Sequence, residues 1–423
     1  MDTVPFVCTA ILCSIVLCHG VFAEVQTIAS IQFHGLKKTN EDFVLRFIES
    51  RSGSLYSVER MGRDIQILRN LRLFSHVAPV VTQSDSGYDI HIAIREFRSL
   101  VPLVNFGGIS GNFWYQLGLS ENNAFGRGYT IGGSYRYYDR HSFEFNFDLP
   151  HLISHSWGFS SILASHATTE PAYFATGTTQ YDVDRRSVNL MILHAFSPRF
   201  SVRTGGTYLS ERYEKNTDES GADAPGPELA EFTKYLGRSI ISLDFLDYNL
   251  FHVLGHSHRL EGEIVRTKGE DDLFWKALYV GKVFHPVFGT GDTGARLRLG
   301  LAENKETVFL PFVLDSYINV RGSGNRIARG SAELTVNLEH RQTLYERPWW
   351  GLQGVLFLDW SGWRRAGKDV STMFNRENIV TFSGLGIRFH HWKAYNIILR
   401  IDYGWDLNDV SNGGFVLGFG QYF

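Results

Sequence analysis

FVLGFGQYF, residues 415–423, is the stretch whose reading decides the fold. Strand side chains alternate with period two. Phe415, Leu417, Phe419 and Phe423 therefore fall on one face, and Val416, Gly418, Gly420 and Tyr422 on the other. A transmembrane barrel strand needs that asymmetry, because it shows lipid one face and the lumen the other, with aromatics where membrane meets water. Gln421 breaks the pattern, a polar group on the face expected to meet lipid. The competing reading, an edge strand of a soluble sheet, leaves a run of hydrophobes in need of a cover.

The same alternation recurs from about Val101 onward. Phe143, Phe145, Phe147 and Leu149 oppose Glu144, Asn146 and Asp148; Ala295, Leu297, Leu299 and Leu301 oppose Arg296, Arg298 and Gly300. Ala332, Leu334, Val336 and Leu338 oppose Glu333, Thr335, Asn337 and Glu339. Ile397, Leu399, Ile401 and Tyr403 oppose Asn396, Arg400 and Asp402. Charge at every second position is costly in a dry core and suits a wet lumen. Val355 to Asp359 alternate badly, so the barrel reading rests on the ensemble. Between Val101 and Phe423 there is room for about sixteen such strands, an even number as single-chain barrels use. Short turns, as near Pro150, are expected on the periplasmic side, and the long polar loops Asn216–Glu231 and Glu303–Arg329 outside. The first of these, rich in Asp, Glu, Gly and Pro, reads as mobile and solvated.

Composition agrees. The 423 residues are 43% hydrophobic and 14% aromatic, with 42 Gly against 3 Cys and 4 Met, which fits aromatic girdles and tight turns better than helix bundles. Past the amino terminus no stretch approaches the roughly 20 apolar residues of a membrane-spanning helix. Membrane residence then requires a closed barrel, which satisfies its backbone groups internally. A formal net charge of −3 argues against a nucleic-acid partner. Phe6 to Leu17 form an apolar core followed by Val21-Phe22-Ala23, which suits cleavage before Glu24 and predicts an export signal over residues 1–23. Its leading segment departs from the usual pattern, carrying Asp2 and no Lys or Arg. Cys8, Cys13 and Cys18 all lie inside it, and Leu12 and Leu17 before the later two argue against lipidation. The exported chain is thus expected to have no disulfide and no thiolate chemistry.

Residues 24–98 read as a separate small module. Ile28, Ile31 and Phe33 lead to a turn at Gly35; Thr39 to Asp42 has the form of a capping box. Phe43, Val44, Phe47 and Ile48 supply a helical stripe that stops at Ser52-Gly53. Ser57 can cap a second helix with Met61, Ile65, Leu68 and Leu71 on its apolar face. Strands Val77 to Val81 and Tyr88 to Glu96 follow, joined at Asp85-Ser86-Gly87 with Ile90, Ile92 and Ile94 pointing one way. The expected order is β-α-α-β-β.

On these residues the chain resembles a known family. Residues 25–97, with LRNLRLFSHVAPVV (68–81) entering the second strand, resemble a POTRA (polypeptide-transport-associated) domain. NFGGISGNFWYQLGLSENNAFGRG (105–128) is similar to the first two strands of the BamA/TamA superfamily of outer-membrane assembly proteins. Val320-Arg321-Gly322 resembles the V-R-G-aromatic signature of the sixth extracellular loop, which in that family folds back into the lumen. FLDWSG (357–362) resembles the F-x-D-x-G motif of the thirteenth strand, and Asn337-Leu338-Glu339 the acidic position of the twelfth. Ser323 stands where the family usually has an aromatic, and Ser361 where it has Gly, with Gly362 one place late.

The resemblance implies an all-β transmembrane barrel of about 16 antiparallel strands over residues 99–423, preceded by one α+β POTRA domain in the periplasm of a bacterium. It implies insertion or assembly of outer-membrane proteins, no enzymatic activity and no cofactor. Expected partners are unfolded outer-membrane or secreted protein clients, outer-membrane lipids and accessory periplasmic proteins. A protein translocator shares the same features and stays open as an alternative. A passive diffusion pore needs neither the POTRA-like module nor the V-R-G loop.

Two sets of residues stand out. Arg321, flanked by Val320 and Gly322, is the candidate anchor of the lumen loop, with Asp359 and Glu339 as partners, because a planar guanidinium matches carboxylates. The bland alternative is a solvated loop arginine. The second set is the seam between the first strand, near Leu103 to Ile109 with Phe106, Gly107 and Gly108, and the last, Phe415 to Phe423, with Gly418, Gly420 and Phe423. Glycines weaken strand ladders, and a parted seam would offer its edge groups to a client strand. The bland alternative is that they only make room for the loop. An edge strand of the module, Ile28 to Phe33 or Val77 to Val81, could add an extended client segment. His151 and His155 follow Pro150 in a turn, and His256 and His258 share a strand face without a nearby third ligand, so both pairs read as interfacial or lumen residues.

Overall fold

The computed structural model describes residues 27–423 except 110–111, 155, 175, 222, 250–251, 288, 305–309, 325–326 and 392–396. The export signal expected over residues 1–23, His155 and Asn396 lie outside the described residues.

The amino-terminal module is β1 (Ile28–His34), α1 (Glu41–Leu45), α2 (Val58–Asn70), β2 (Phe74–Ser84) and β3 (Gly87–Glu96). Its sheet order is β1-β3-β2, with β1 parallel and β2 antiparallel to the central strand, so both β1 and β2 are edges. Ile90, Ile92 and Ile94 pack with Phe43, Val44, Met61, Ile65 and Leu68 into one core. Ser57 caps α2, its side chain accepting from the Arg60 amide at 3.2 Å.

The first helix departs from expectation. Its N-cap is Asn40, without a side-chain cap bond, and it ends at Leu45 rather than at Ser52-Gly53. Instead of a capping box, the Glu96 carboxylate accepts from the Lys37, Lys38 and Thr39 amides at 3.1, 3.0 and 2.9 Å. Beyond Leu45, Asp64 of α2 accepts from the amides of Glu49 and Ser50 at 2.7 and 2.9 Å. That competing carboxylate draws the backbone off the helical path.

The remaining chain forms β4 (Leu100–Ile109), β5 (Asn112–Ala124), β6 (Tyr129–Tyr138), β7 (Arg140–Leu149), β8 (Trp157–Phe174), β9 (Gly177–Ser197), β10 (Phe200–Lys215) and β11 (Leu229–Asp244). A short β12 (Asp247–Asn249) precedes β13 (His252–Thr267), β14 (Leu273–Val287) and β15 (Gly291–Ala302). A small hairpin, β16 (Phe312–Leu314) with β17 (Ala328–Gly330), lies between β15 and β18 (Ala332–Arg347). Then come β19 (Trp350–Arg364), β20 (Ile379–His391), β21 (Ile398–Asp406) and β22 (Gly413–Phe419). The sixteen long strands close antiparallel, with β22 beside β4. Alternation behaves as the sequence implied: Phe143, Phe145, Leu299, Leu301, Leu338 and Ile401 are exposed on the outer wall. Arg296, Glu333, Asn337, Glu339, Arg400 and Asp402 are buried inside.

Two readings change. The loop after β10 is not loose: α3 (Thr217–Ser220) forms in it, and Lys215 pairs with Glu228 at 2.8 Å. Thr179 and Tyr181 donate to the carbonyls of Pro225 and Pro227, at 2.6 and 2.8 Å, so the extended end of β9 holds this loop down. The last strand, too, ends early. β22 stops at Phe419, Gly420 takes φ +86°, and the chain turns into the lumen. Phe423 is therefore not on the lipid face: it is buried, and its ring stacks on Phe284 with centroids 5.9 Å apart. Gln421 ceases to be a defect, since its Oε1 accepts from Arg388 Nε at 3.1 Å inside the barrel.

The module is docked on the near end of the barrel. The Asn40 amide donates to the Gly126 carbonyl at 3.0 Å, and Asn123 Nδ2 to Thr39 Oγ1 at 2.9 Å. Asn70 Nδ2 donates to Asp247 Oδ1 at 3.0 Å, and Phe47 meets His151 edge-on with centroids 4.9 Å apart. These contacts fix which turns face the module and so which barrel end is which.

Candidate functional site

The chain between β15 and β18 folds into the barrel. Its tip, Asp315 to Ser323, is knotted by its own polar groups. The Asn319 amide donates to the Asp315 carbonyl at 3.0 Å, and Asn319 Oδ1 accepts from the Asp315 amide at 2.8 Å. The tip then lies directly on β21. Gly322 has φ +84°, and a Cβ there would stand 2.5 Å from the Gly404 carbonyl oxygen. A Cβ on Gly404 would stand 2.4 Å from the Arg321 carbonyl oxygen, so only glycine fits on either side of this contact.

That seat aims Arg321 at the wall made by β18 and β19. Its Nε and Nη2 donate to the two Asp359 oxygens at 2.9 Å each, and its own amide donates to Asp359 Oδ2 at 2.9 Å. Nη1 is ion-paired with Glu339. The Phe357 ring centroid lies 3.7 Å from the guanidinium carbon and that of Tyr422 4.4 Å. Asn337 Nδ2 bridges Asp359 Oδ1 at 2.7 Å and the Asn319 carbonyl at 2.8 Å. Arg321, Glu339 and Asp359 are all 0% exposed. A bidentate, charge-assisted fork of this kind is the strong form of such a bond. With both signs buried, loss of one partner strands the other. Arg321 is not a solvated loop residue.

The carboxylates are shared further. Glu339 accepts from Arg341 Nε at 2.5 Å and Arg388 Nη2 at 3.4 Å, and Arg388 Nη1 reaches Asp402 at 2.7 Å. Val320 is fully buried beside Arg321. The two departures from the family pattern are absorbed locally. Ser323 Oγ donates to the Val320 carbonyl at 2.8 Å, and Ser361 shares a 2.7 Å hydrogen bond with Thr335. Gly362 faces the Met373 carbonyl, which would lie 2.5 Å from a Cβ.

Phe357, Arg341, Arg388 and Tyr422 were not singled out from the sequence. Phe357 carried a usable signal, because period two puts it on the lumen face beside Asp359. Tyr422 carries the same signal, since period two puts it on the lumen side, but its place over Arg321 depends on the inward turn at Gly420.

At the seam, β22 and β4 pair, among the described residues, through Phe415–Gly108, Val416–Gly107 and Leu417–Phe106. The next ladder round, β21 with β22, runs on from Trp405–Gly413 to Leu399–Phe419. The near half of β4, residues 100–105, thus lies beyond the end of the β22 ladder. Asn105 bridges the gap with one side chain, its Oδ1 accepting from the Phe419 amide at 3.1 Å. That oxygen would lie 2.5 Å from a Cβ on Gly418, so this glycine makes room for Asn105. Gly420 and Phe423 have left the seam altogether, because the left-handed turn carries them inward.

Comparisons with known proteins agree with this architecture. Residues 123–423 match the model of the Omp85 superfamily domain, and residues 26–96 that of the POTRA, surface antigen variable number repeat. The outer membrane protein assembly factor BamA of Nitratidesulfovibrio vulgaris is 25% identical over 427 residues, covering 92% of this chain and 50% of that protein. The chain thus spans about half the length of that curated relative. Among solved structures, CdiB from Escherichia coli superposes with TM-score 0.60 at 11% identity, covering 93% of this chain and 76% of its own. BamA from Haemophilus ducreyi lacking POTRA domains 1–3 gives TM-score 0.52 at 13% identity, covering 93% and 84%. These two likenesses concern the fold. The barrel lies in the outer membrane, with the POTRA domain in the periplasm.

Proposed function

The chain belongs to the Omp85 superfamily, and on that premise we propose that it inserts client β-proteins into the outer membrane through its β4–β22 seam. The end of the β22–β4 ladder at Leu417–Phe106, bridged on its periplasmic side by Asn105, is the observation that carries this reading. When β22 and β4 part, each exposes a row of backbone donors and acceptors that a client strand can pair with. The POTRA domain offers β1 and β2, the edges of its sheet, to an extended client segment before it reaches the seam. The clients are unfolded outer-membrane or secreted proteins, with outer-membrane lipids around the seam and accessory periplasmic proteins as further partners. No catalytic chemistry and no cofactor enter this reading.

Translocation through the lumen is the competing reading within the same fold. It requires the loop to leave its seat, since Arg321 and its partners lie buried inside the barrel. A cysteine pair at the register mates Gly107→Cys and Val416→Cys separates the two. Directly opposed strand residues lie about 4.5–5.5 Å apart at Cα, within the reach of a disulfide. Oxidation should stop client insertion and reduction should restore it. Full insertion with the seam demonstrably closed would refute the reading and leave the lumen, or simple diffusion, as the path.

A further inference from the structure

The lumen cluster carries unequal charge. Arg296, Arg321, Arg341, Arg388 and Arg400 converge on it, against the carboxylates of Glu339, Asp359 and Asp402. Besides oxygen acceptors such as Asn337 Oδ1 and the Ile318 carbonyl, the cluster meets a ring. Tyr422 has its centroid 4.4 Å from the Arg321 guanidinium carbon, 5.0 Å from that of Arg296 and 5.2 Å from that of Arg400. An aromatic face attracts cations, the more strongly where water is excluded, and Tyr422 is only 7% exposed. Its hydroxyl donates to the Ser316 carbonyl, on the loop tip, at 3.1 Å. Tyr422 therefore touches the loop twice, once through Arg321 and once through Ser316. Ser323 supplies no ring of its own; this one arrives from the other end of the chain.

Tyr422 is also three residues past the end of β22, the strand that makes the seam. The connection between them is short and held: the Gly420 amide donates to the Ile398 carbonyl at 2.8 Å, Gln421 is bonded to Arg388, and Arg341 Nη2 donates to the Phe423 main-chain oxygen at 3.2 Å. A displacement of the periplasmic end of β22 cannot be absorbed by slack in so short a tail.

We propose that Tyr422 is a positioning residue that couples the seating of the lumen loop to the closure of the β4–β22 seam. With the seam closed, the ring sits on Arg321 and the loop is held. As β22 moves away, the ring is withdrawn, the arginine cluster loses its aromatic cover, and the loop loosens. By linkage, an unseated loop favours the open seam to the same degree. The inference rests on the reading that the seam opens, and goes beyond it in making the loop the element that responds.

The test uses the full-length protein in lipid nanodiscs without any client, with hydrogen exchange of residues 315–324 as the measure of loop seating. The Gly107→Cys/Val416→Cys pair is compared oxidised and reduced, in otherwise wild-type protein and with Tyr422→Leu or Tyr422→Phe. Oxidation should slow loop exchange by about fivefold or more, the lower end of common coupling factors. Tyr422→Leu should remove that dependence on the lock, while Tyr422→Phe, which keeps the ring, should retain most of it. A merely structural tyrosine would raise exchange equally in locked and unlocked protein, and that outcome would overturn the proposal. So would loop exchange insensitive to the lock in wild type. Client insertion, measured separately, keeps the readings apart: a lock that stops insertion without touching the loop defeats the coupling alone, and a lock that leaves insertion intact defeats the seam reading. If Tyr422→Leu fails to form a heat-modifiable barrel, the comparison of wild type with Tyr422→Phe still decides, because loss of lock dependence on removing one hydroxyl would show that the ring is not the coupler.

Discussion

Glu170 on β8 and Arg329 on β17 form an ion pair that ties the lumen loop to the wall facing its Arg321 seat. Six long strands separate β8 from β18 in one direction and eight in the other, so the two attachments lie on opposite sides of the barrel. Glu170 also accepts from Arg185 at 2.7 Å and from Thr168 at 2.8 Å, and is 1% exposed. The loop is a strap with two ends, not a plug held at one point. Glu170→Gln leaves Arg185 and Arg329 facing each other without their common anion, at a cost of about 3–5 kcal/mol for a fully broken buried pair. Exchange should rise around β16 and β17, residues 312–314 and 328–330, while residues 319–322 stay protected by Asp359. Equal loosening of both ends would show that the strap is a single cooperative unit.

The Arg321 seat combines charge, planarity and ring contact, and these can be separated. Arg321→Ala removes all three. Arg321→Lys keeps a cation but cannot make the two-oxygen fork to Asp359 or lie flat against Phe357. Loop exchange should therefore increase in the order wild type, Arg321→Lys, Arg321→Ala, with assembly activity falling in the same order and the barrel remaining membrane-inserted and heat-modifiable. Should Arg321→Lys behave as wild type, charge alone would hold the loop.

Much of this was legible in the sequence, for a physical reason. The barrel and its lumen charges follow from a two-residue period, which a membrane enforces on every strand, so Arg296, Glu339 and Asp402 fall inside on the sequence alone. Arg321, Asp359 and Glu339 were recognisable together through motif resemblance, although nothing in the chain alone says that residues 321 and 359 meet. The departures arise where a distant group or a turn overrides the local pattern. Thr39 lost its cap role to Glu96, 57 positions away, and the first helix was cut short by Asp64 from the second. Phe423 leaves the face that period two assigns it because one positive-φ glycine ends the alternation. Tertiary competition for backbone amides is what local pattern cannot see.

Gly322→Ala tests the seat without altering any charge. The new methyl would meet the Gly404 carbonyl at 2.5 Å, on a residue already at φ +84°. Both the contact and the left-handed backbone disfavour it. The variant should loosen residues 315–324 nearly as much as Arg321→Ala does, although every ionic partner is still present. Gly404→Ala, approaching from the β21 side against the Arg321 carbonyl, should give the same result. Protection unchanged in both variants would mean that the loop rides above β21 rather than on it.

The last expectation concerns acid and the POTRA domain. Partial burial raises the Glu96 carboxyl, but hydrogen bonds from the Thr39, Lys37 and Lys38 amides lower it, and the net direction is down from the ordinary carboxylate range. A carboxylate whose pKa is lower when folded stabilises the folded state above its unfolded pKa, about 4.3 for glutamate. That contribution disappears as pH falls through the lower, folded value. The Lys37–Thr39 amides should keep constant protection factors, corrected for intrinsic exchange, from neutrality to about pH 5, a margin above the unfolded glutamate value. Below the folded pKa the protection should fall, and the adjoining contacts from Thr39 to Asn123 and from Asn40 to Gly126 should weaken with it. Glu96→Gln should lower protection at neutral pH and flatten its pH dependence, since the amide side chain accepts through one oxygen and does not titrate. A protection profile in Glu96→Gln that still drops with acid would assign the transition to another group.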